Sequence, residues 1–220
     1  MRGFGEEPAV KNPVDKYYEW KSKNKAFIWY DKDTKKDVEL KTDAHVIVLY
    51  ETVSITGYSE KYESGFTSNE MSPYDLKKEK FNLKTFGKNQ AGDYLYSRSE
   101  FWGNLKDILP NGAKFTKNLY SMLLDKDNGN NCCCLKFPGG SIAPLADIEN
   151  KGFDNQKHIL LIKDDFTAKK RGEVDYTVPV LDYVDINEGY VEDAKAMYQE
   201  VNKYFLEKTN LTGNSSEHTE

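Results

Sequence analysis

His45 to Gly57 reads HVIVLYETVSITG, and the fold turns on this stretch. Its residues are largely β-branched or aromatic, the composition of a strand packed on a pleated surface. Gly57 is read as its end. Working upstream, residues 27–30 and 37–40 form two short strands around a polar Asp31-Lys32-Asp33-Thr34 turn. Before them, Asn12 followed by Pro13 has the pattern of a cap and first turn, predicting a short helix with Tyr17 and Trp20 along one side. Downstream, residues 58–74 read as a long polar-aromatic loop, and a strand over residues 81–86 stops at Gly87.

The spacing of Trp102, Leu105, Ile108 and Leu109 predicts a helix between Ser99 and Leu109, ended by Pro110-Asn111-Gly112. Strands follow over 114–124 and 132–137, joined by an Asp, Asn and Gly turn. Residues 139–152 read as a short helix or ordered loop. A last strand pair covers 159–166 and 174–186, and Pro179 places the second of these at an edge or a bulge. Tyr190, Ala194, Met197, Val201 and Tyr204 recur at helical steps and predict one amphipathic C-terminal helix. The expected organisation is a flexible arm at 1–11, a domain at 12–187, a helix at 188–207 and a disordered tail at 208–220. Short strands with one helix inserted and another closing the chain give a mostly β, α+β protein, barrel-like rather than βαβ.

Charge is distributed unevenly. The net charge is −5, which excludes a uniformly basic surface. Between Lys77 and Asn118, nine lysines and arginines stand against four acids. Between Glu188 and Glu207 the balance reverses, with five acids and two lysines. Aromatics are 13% of the chain, too many for a disordered one. No apolar run resembles a signal peptide or a membrane span, so a soluble, cytoplasmic protein without a membrane partner is expected.

No catalytic or cofactor motif is legible. Phosphate-binding and dinucleotide-binding glycine loops are missing, as is a nucleophile elbow, and His45, His158 and His218, scattered along the chain, read as structural or exposed because no base, orienter and nucleophile come together in the pattern. Cys132, Cys133 and Cys134 are adjacent, so on a strand they point to opposite faces, unlike a zinc site. They read as small apolar residues of a strand covered on both sides, in a reducing compartment. No enzyme activity and no cofactor are expected.

The rings and cations suit a different task. Unpaired nucleic acid is held by stacking bases on aromatic faces while lysine and arginine follow the phosphates. On an extended chain Lys84, Phe86 and Lys88 share one side, with Phe81, Leu83 and Thr85 turned to the core. Lys114 and Tyr120 share a side of the next strand, with Lys117 opposite. Tyr94, Tyr96 and Arg98 add an aromatic-basic loop, and Tyr58, Tyr62 and Phe66 lie in the loop before. These twelve residues are the expected nucleic-acid-binding set.

Several short motifs in order then carry a resemblance. NPVDKYYEWKSKNKAFIWYDKDTKKDVELK and ITGYSEKYESGFTSNEM are similar to the N-terminal half of a family of phage-encoded single-stranded-DNA-binding proteins. FNLKTFGKNQAGDYLYS, GAKFTKNLYSMLL and CLKFPGGSIAPLADI resemble later segments of the same family. The match covers residues 12–148, with Leu145 near the place of the family's tryptophan. It implies an OB-fold-like antiparallel barrel that coats single-stranded DNA in replication, recombination or repair. The implied partners are single-stranded DNA and replication or recombination proteins, in the bacterial host cytoplasm. A homo-oligomer is compatible with the sequence. Two alternatives remain at this stage: a virion-associated or structural protein that docks a partner on its C-terminal helix, and a nuclease using scattered acids and a divalent metal.

Overall fold

The computed structural model describes residues 11–40, 43–108, 112–125 and 129–213, with side chains through Glu207. The organising strand is β4, Ala44–Ser59, which carries the HVIVLYETVSITG stretch and runs on through Gly57. Gly57 does not end the strand. A Cβ there would lie 2.5 Å from Cζ of Phe66, so the residue is small to admit a ring from the neighbouring strand.

Along most of its length β4 pairs antiparallel with β8, Lys114–Leu123, from Val46↔Leu123 to Thr56↔Lys114. The register shifts between Val48 and Tyr50, a bulge that reverses which residues face which side. Before it Val46 and Val48 point to one face; after it Val53 and Ile55 do. That face therefore stays apolar at both ends of β4. It builds two cores on one side of a single sheet.

On the far side of β8 comes β9, Asn131–Pro138, and then the N-terminal strands: β1, Lys16–Lys21, β2, Ala26–Asp31, and β3, Lys36–Glu39. On the other side of β4 lie β5, Ser64–Thr67, β6, Phe81–Thr85, and β7, Ser97–Glu100. The hairpin of β10, His158–Arg171, and β11, Val174–Asp185, joins β4 through Leu160↔Val46. β3 and β7 end the sheet's path without pairing with each other among the described residues, so the sheet is open and not a closed barrel. Nor is it wholly antiparallel, because β1 runs parallel to β9, Tyr18 opposite Leu135.

The first core packs α1, Ala143–Asn150, through Leu145 and Ile148 against Phe27, Leu119, Phe137 and Leu160. The second gathers Val53, Ile55, Phe66, Phe81, Leu83 and Leu105. On the opposite face α2, Val191–Gly213, lays Val201 and Phe205 on Tyr120 and Cys134. Its Met197, with Tyr190, packs on the Ile47 and Met122 cluster. Both the mostly β, α+β character and the two helices follow from this packing.

Two expected helices are absent. Asn12 Oδ1 does accept the Val14 N–H at 3.0 Å, as a cap would, but the chain then extends into β1. Tyr18 and Trp20 are buried at alternate positions there, and Trp20 Nε1 donates to the Thr177 carbonyl at 2.8 Å. Tertiary pairing outweighs a single cap signal. Between Ser99 and Leu109 the chain makes β7 and a short 3-10 turn at Trp102–Asn104, with no side-chain cap. Trp102, Leu105 and Ile108 do pack together in the second core, so their spacing reported contact rather than helix. The expected 58–74 loop contains β5. α2 continues past residue 207 to Gly213, where disorder was expected. The arm at 1–10 and the tail at 214–220 lie outside the described residues.

The cysteine reading fits the sheet. Cys133 belongs to the first core and Cys134 to the α2 side, so β9 is covered on both faces. Burial pushes the Cys133 thiol from 9.0 up to about 12, and burial likewise raises Tyr17 and Tyr18 to about 12. These groups are neutral in the fold yet ionise earlier in the unfolded chain. Their stabilisation is whole below the unfolded values and is lost as pH rises toward the folded ones. Stability toward urea should therefore fall above about pH 9. The Cys133 share is about 3 kcal/mol by pH 11, at about 1.4 kcal/mol per pKa unit. Cys133→Ala should flatten that slope by one group; an unchanged slope would refute the assignment.

Candidate nucleic-acid interface

The twelve expected residues do not form one track. Tyr120 is 1% exposed. Its hydroxyl donates to Glu70 Oε2 at 2.6 Å, and its ring meets Phe205 edge-on at 4.9 Å. Burial, above all, drives its phenol far above the ordinary range, with the Glu70 charge adding to the effect. It is a core residue beneath α2, not a stacking platform. Phe66 is also sealed, at 5%, in the second core. Lys117 points to the face between the two cores, bonding Glu149 at 2.7 Å and Glu51 at 3.1 Å. Burial pulls its ammonium down, but the two carboxylates outweigh that and leave it raised. Glu51 is raised as well, because burial exceeds the help from Lys117. Arg98 is tied to Asp107 at 2.5 Å and to the Asn104 carbonyl at 3.2 Å. Tyr120, Phe66 and Lys117 serve the fold, and Arg98 is held at the surface by Asp107.

The remaining residues gather at one end of the sheet, on two faces. β6 alternates as expected, with Phe81, Leu83 and Thr85 buried and Asn82, Lys84 and Phe86 exposed. Phe86 is 70% exposed. Its N–H donates to Gly65 O at 2.8 Å, and a Cβ on Gly65 would lie 2.9 Å from its ring. The absent side chain lets the ring lie against the backbone with its outer face to solvent. A bridge between Lys88 and Tyr94 closes the next loop. Lys84 and Lys88 place their ammonium groups over the Tyr94 ring, at 4.9 Å and 4.8 Å. The aromatic-basic loop is thereby braced, and two cations are held beside one open ring.

On the other face, Tyr96 leans on Phe66 at 5.8 Å and on Tyr62 at 6.0 Å. Tyr58, Lys61, Tyr62, Phe66, Tyr96 and Gly112 line a groove of about 750 Å³. Tyr58, 52% exposed, stands at its rim. Lys61 Nζ lies 5.1 Å from the Tyr62 ring. Lys61 lies upstream of the basic block at residues 77–118, and its adjacency to Tyr62 is the one sequence signal that points to it. Lys114 is exposed where β8 begins, opposite Thr56.

No protein-family model, curated protein or solved structure matches the chain. The site therefore stands on its own geometry. Rings lie on both sides of the β5–β6–β7 sheet, joined at its edge by the loop of residues 86–96. Between this end and α2, the same face as Tyr120 is polar. Asn118 Nδ2 donates to Thr52 Oγ1 and Ser54 Oγ, each at 3.1 Å, and Thr56 and Thr116 hydroxyls bond at 3.0 Å. The C-terminal stripe of Tyr190, Met197 and Tyr204 is packed within the chain. No helix of the described residues is long and apolar enough to cross a membrane.

Tyr120→Phe removes one hydrogen bond to a carboxylate and leaves Glu70 bonded to Thr52. Stability in urea should fall by about 2 kcal/mol. Oligonucleotide affinity should not change; a stable variant that had lost affinity would return Tyr120 to the interface.

Proposed function

We propose that this protein binds single-stranded DNA, largely without sequence preference, through the β5–β7 end of its sheet. The observation that carries the reading is Phe86, 70% exposed yet laid on Gly65, with Lys84 and Lys88, two residues to either side in sequence, holding their ammonium groups over Tyr94. An exposed ring pre-oriented by a glycine, beside cations fixed on Tyr94, has the parts that base stacking and phosphate contact require. The groove of Tyr58, Tyr62 and Tyr96 offers further stacking faces. Every base has a π-face, so such a surface tolerates any sequence.

Protection of the strand during phage-type replication, recombination or repair is the role suggested by the resemblance over residues 12–148. The reading does not need the closed barrel that the resemblance implies, only a β surface carrying rings and cations. Docking through the C-terminal helix has less support, since that helix is occupied by its own sheet.

The test is quenching of intrinsic fluorescence by oligo-dT at two salt concentrations, with duplex DNA as control. Binding should weaken steeply with salt, in proportion to the phosphates neutralised. Phe86→Ala should cost about 1–3 kcal/mol of affinity while leaving unfolding unchanged. Lys84→Ala with Lys88→Ala should reduce the salt slope by about 1.4, at roughly 0.7 per contact on a single strand. No binding by folded wild-type protein at low salt would overturn the proposal.

A further inference from the structure

Beyond Lys163 the β10–β11 hairpin leaves the sheet, and every residue from 164 to 175 is exposed. An isolated two-stranded ribbon is marginal in water. This one is clamped at its stem. The Thr177 N–H donates to Ser22 Oγ at 2.7 Å, its hydroxyl to Ser22 O at 2.8 Å, and its carbonyl accepts Trp20 Nε1. Lys25 Nζ lies 4.4 Å from the Phe166 ring. The turn is Gly172-Glu173, with Gly172 at φ +61, the left-handed value that tight hairpins need.

Cross-strand pairing sorts the charges by face. Lys170 stands opposite Asp175, so that face is balanced. Lys169 stands opposite Tyr176 and Arg171 opposite Val174, which puts two cations on the other face with no acid across from either. Neither cation has an ion pair among the described residues. Tyr176 turns this face toward the body of the protein. A Cβ on Gly140 would lie 2.7 Å from the Tyr176 ring, and one on Gly139 beside it would lie 3.9 Å from the stem of Lys114. Lys114, Tyr176, Lys169 and Arg171 thus follow one another from the start of β8 to the ribbon tip. Lys114 in turn lies opposite Thr56, two residues before Tyr58 at the rim of the groove.

We propose that the β10–β11 ribbon is a second nucleic-acid contact, an arm whose Lys169 and Arg171 take the phosphate backbone of a single strand after it passes the groove and Lys114. Residues two apart on a strand are about 7 Å apart, within the reach of successive phosphates on an extended single strand. The inference rests on the single-stranded-DNA reading of the groove. It extends the footprint to a segment outside the family resemblance.

The test uses the full chain carrying Lys169→Ala and Arg171→Ala, compared with wild type and with Lys170→Ala. Each is titrated with dT oligonucleotides of about 8 and about 30 residues, lengths bracketing a single module's footprint. All three altered side chains are exposed, so folding should be unaffected. The double variant should weaken long-oligonucleotide binding on the order of ten-fold and lower the salt slope by about 1.4. Short-oligonucleotide affinity should be unchanged, and Lys170→Ala should match wild type with both lengths. If the double variant binds the long oligonucleotide as wild type does, the arm is refuted while the groove reading stands. An equal loss from Lys170→Ala would also refute it, showing general charge rather than a directed face. Wild type that binds neither oligonucleotide would remove both proposals.

Discussion

The β4–β8 ladder, with its bulge at Leu49, is the constraint on which the rest depends. A strand of 16 residues alternating without interruption would turn its apolar side chains to opposite faces at its two ends. The extra residue corrects the phase. Val46, Val48, Val53 and Ile55 then share a face, with room on it for α1 at one end and for β5, β6 and β7 at the other. The opposite face is apolar only beneath α2. Beyond that it becomes hydroxyls and amides. One backbone irregularity thus divides a single sheet into a scaffold half and a ring-bearing half.

Position along this ladder decides what each ring and cation does. Tyr120 and Lys114 occur on one strand at alternating positions of a single face, as sequence parity requires, yet one lies under Phe205 and the other is in solvent. Parity fixes the side; only the third dimension says whether anything covers it. Lys117 shows the same limit from the other face, its charge matched by Glu51 from β4 and Glu149 from α1. These acids are far from it in sequence, so a count of local charges leaves it looking available.

Much of the strand pattern was legible because it is local. The hairpin before β4, the alternation of β6, the paired faces of Cys133 and Cys134, and Pro179 at a register shift on an edge strand all follow from short-range periodicity and chain chemistry. What failed was long-range or small. β1 looked helical because Asn12 and Pro13 form the start of a turn, while its partner β9 lies more than a hundred residues away. Gly57 looked like a terminator because its true role, space for Phe66, involves another strand. At the candidate interface, Lys84, Phe86 and Lys88 were readable from alternation. The brace of Tyr94 and the role of Gly65 needed the loop to close.

The parallel neighbouring of β1 and β9 also sets an order of assembly. Lys16 through Glu19 align with Cys133 through Lys136, and no shorter segment supplies that edge. Contacts so distant along the chain carry a large loop-closure cost and slow the search for the native state. Without β9 in place, the β1–β2–β3 meander keeps the Trp20–Phe27 ring contact but leaves Tyr18 without its Leu135 neighbour. The edge of the sheet is thus held on by one of its most sequence-distant pairings.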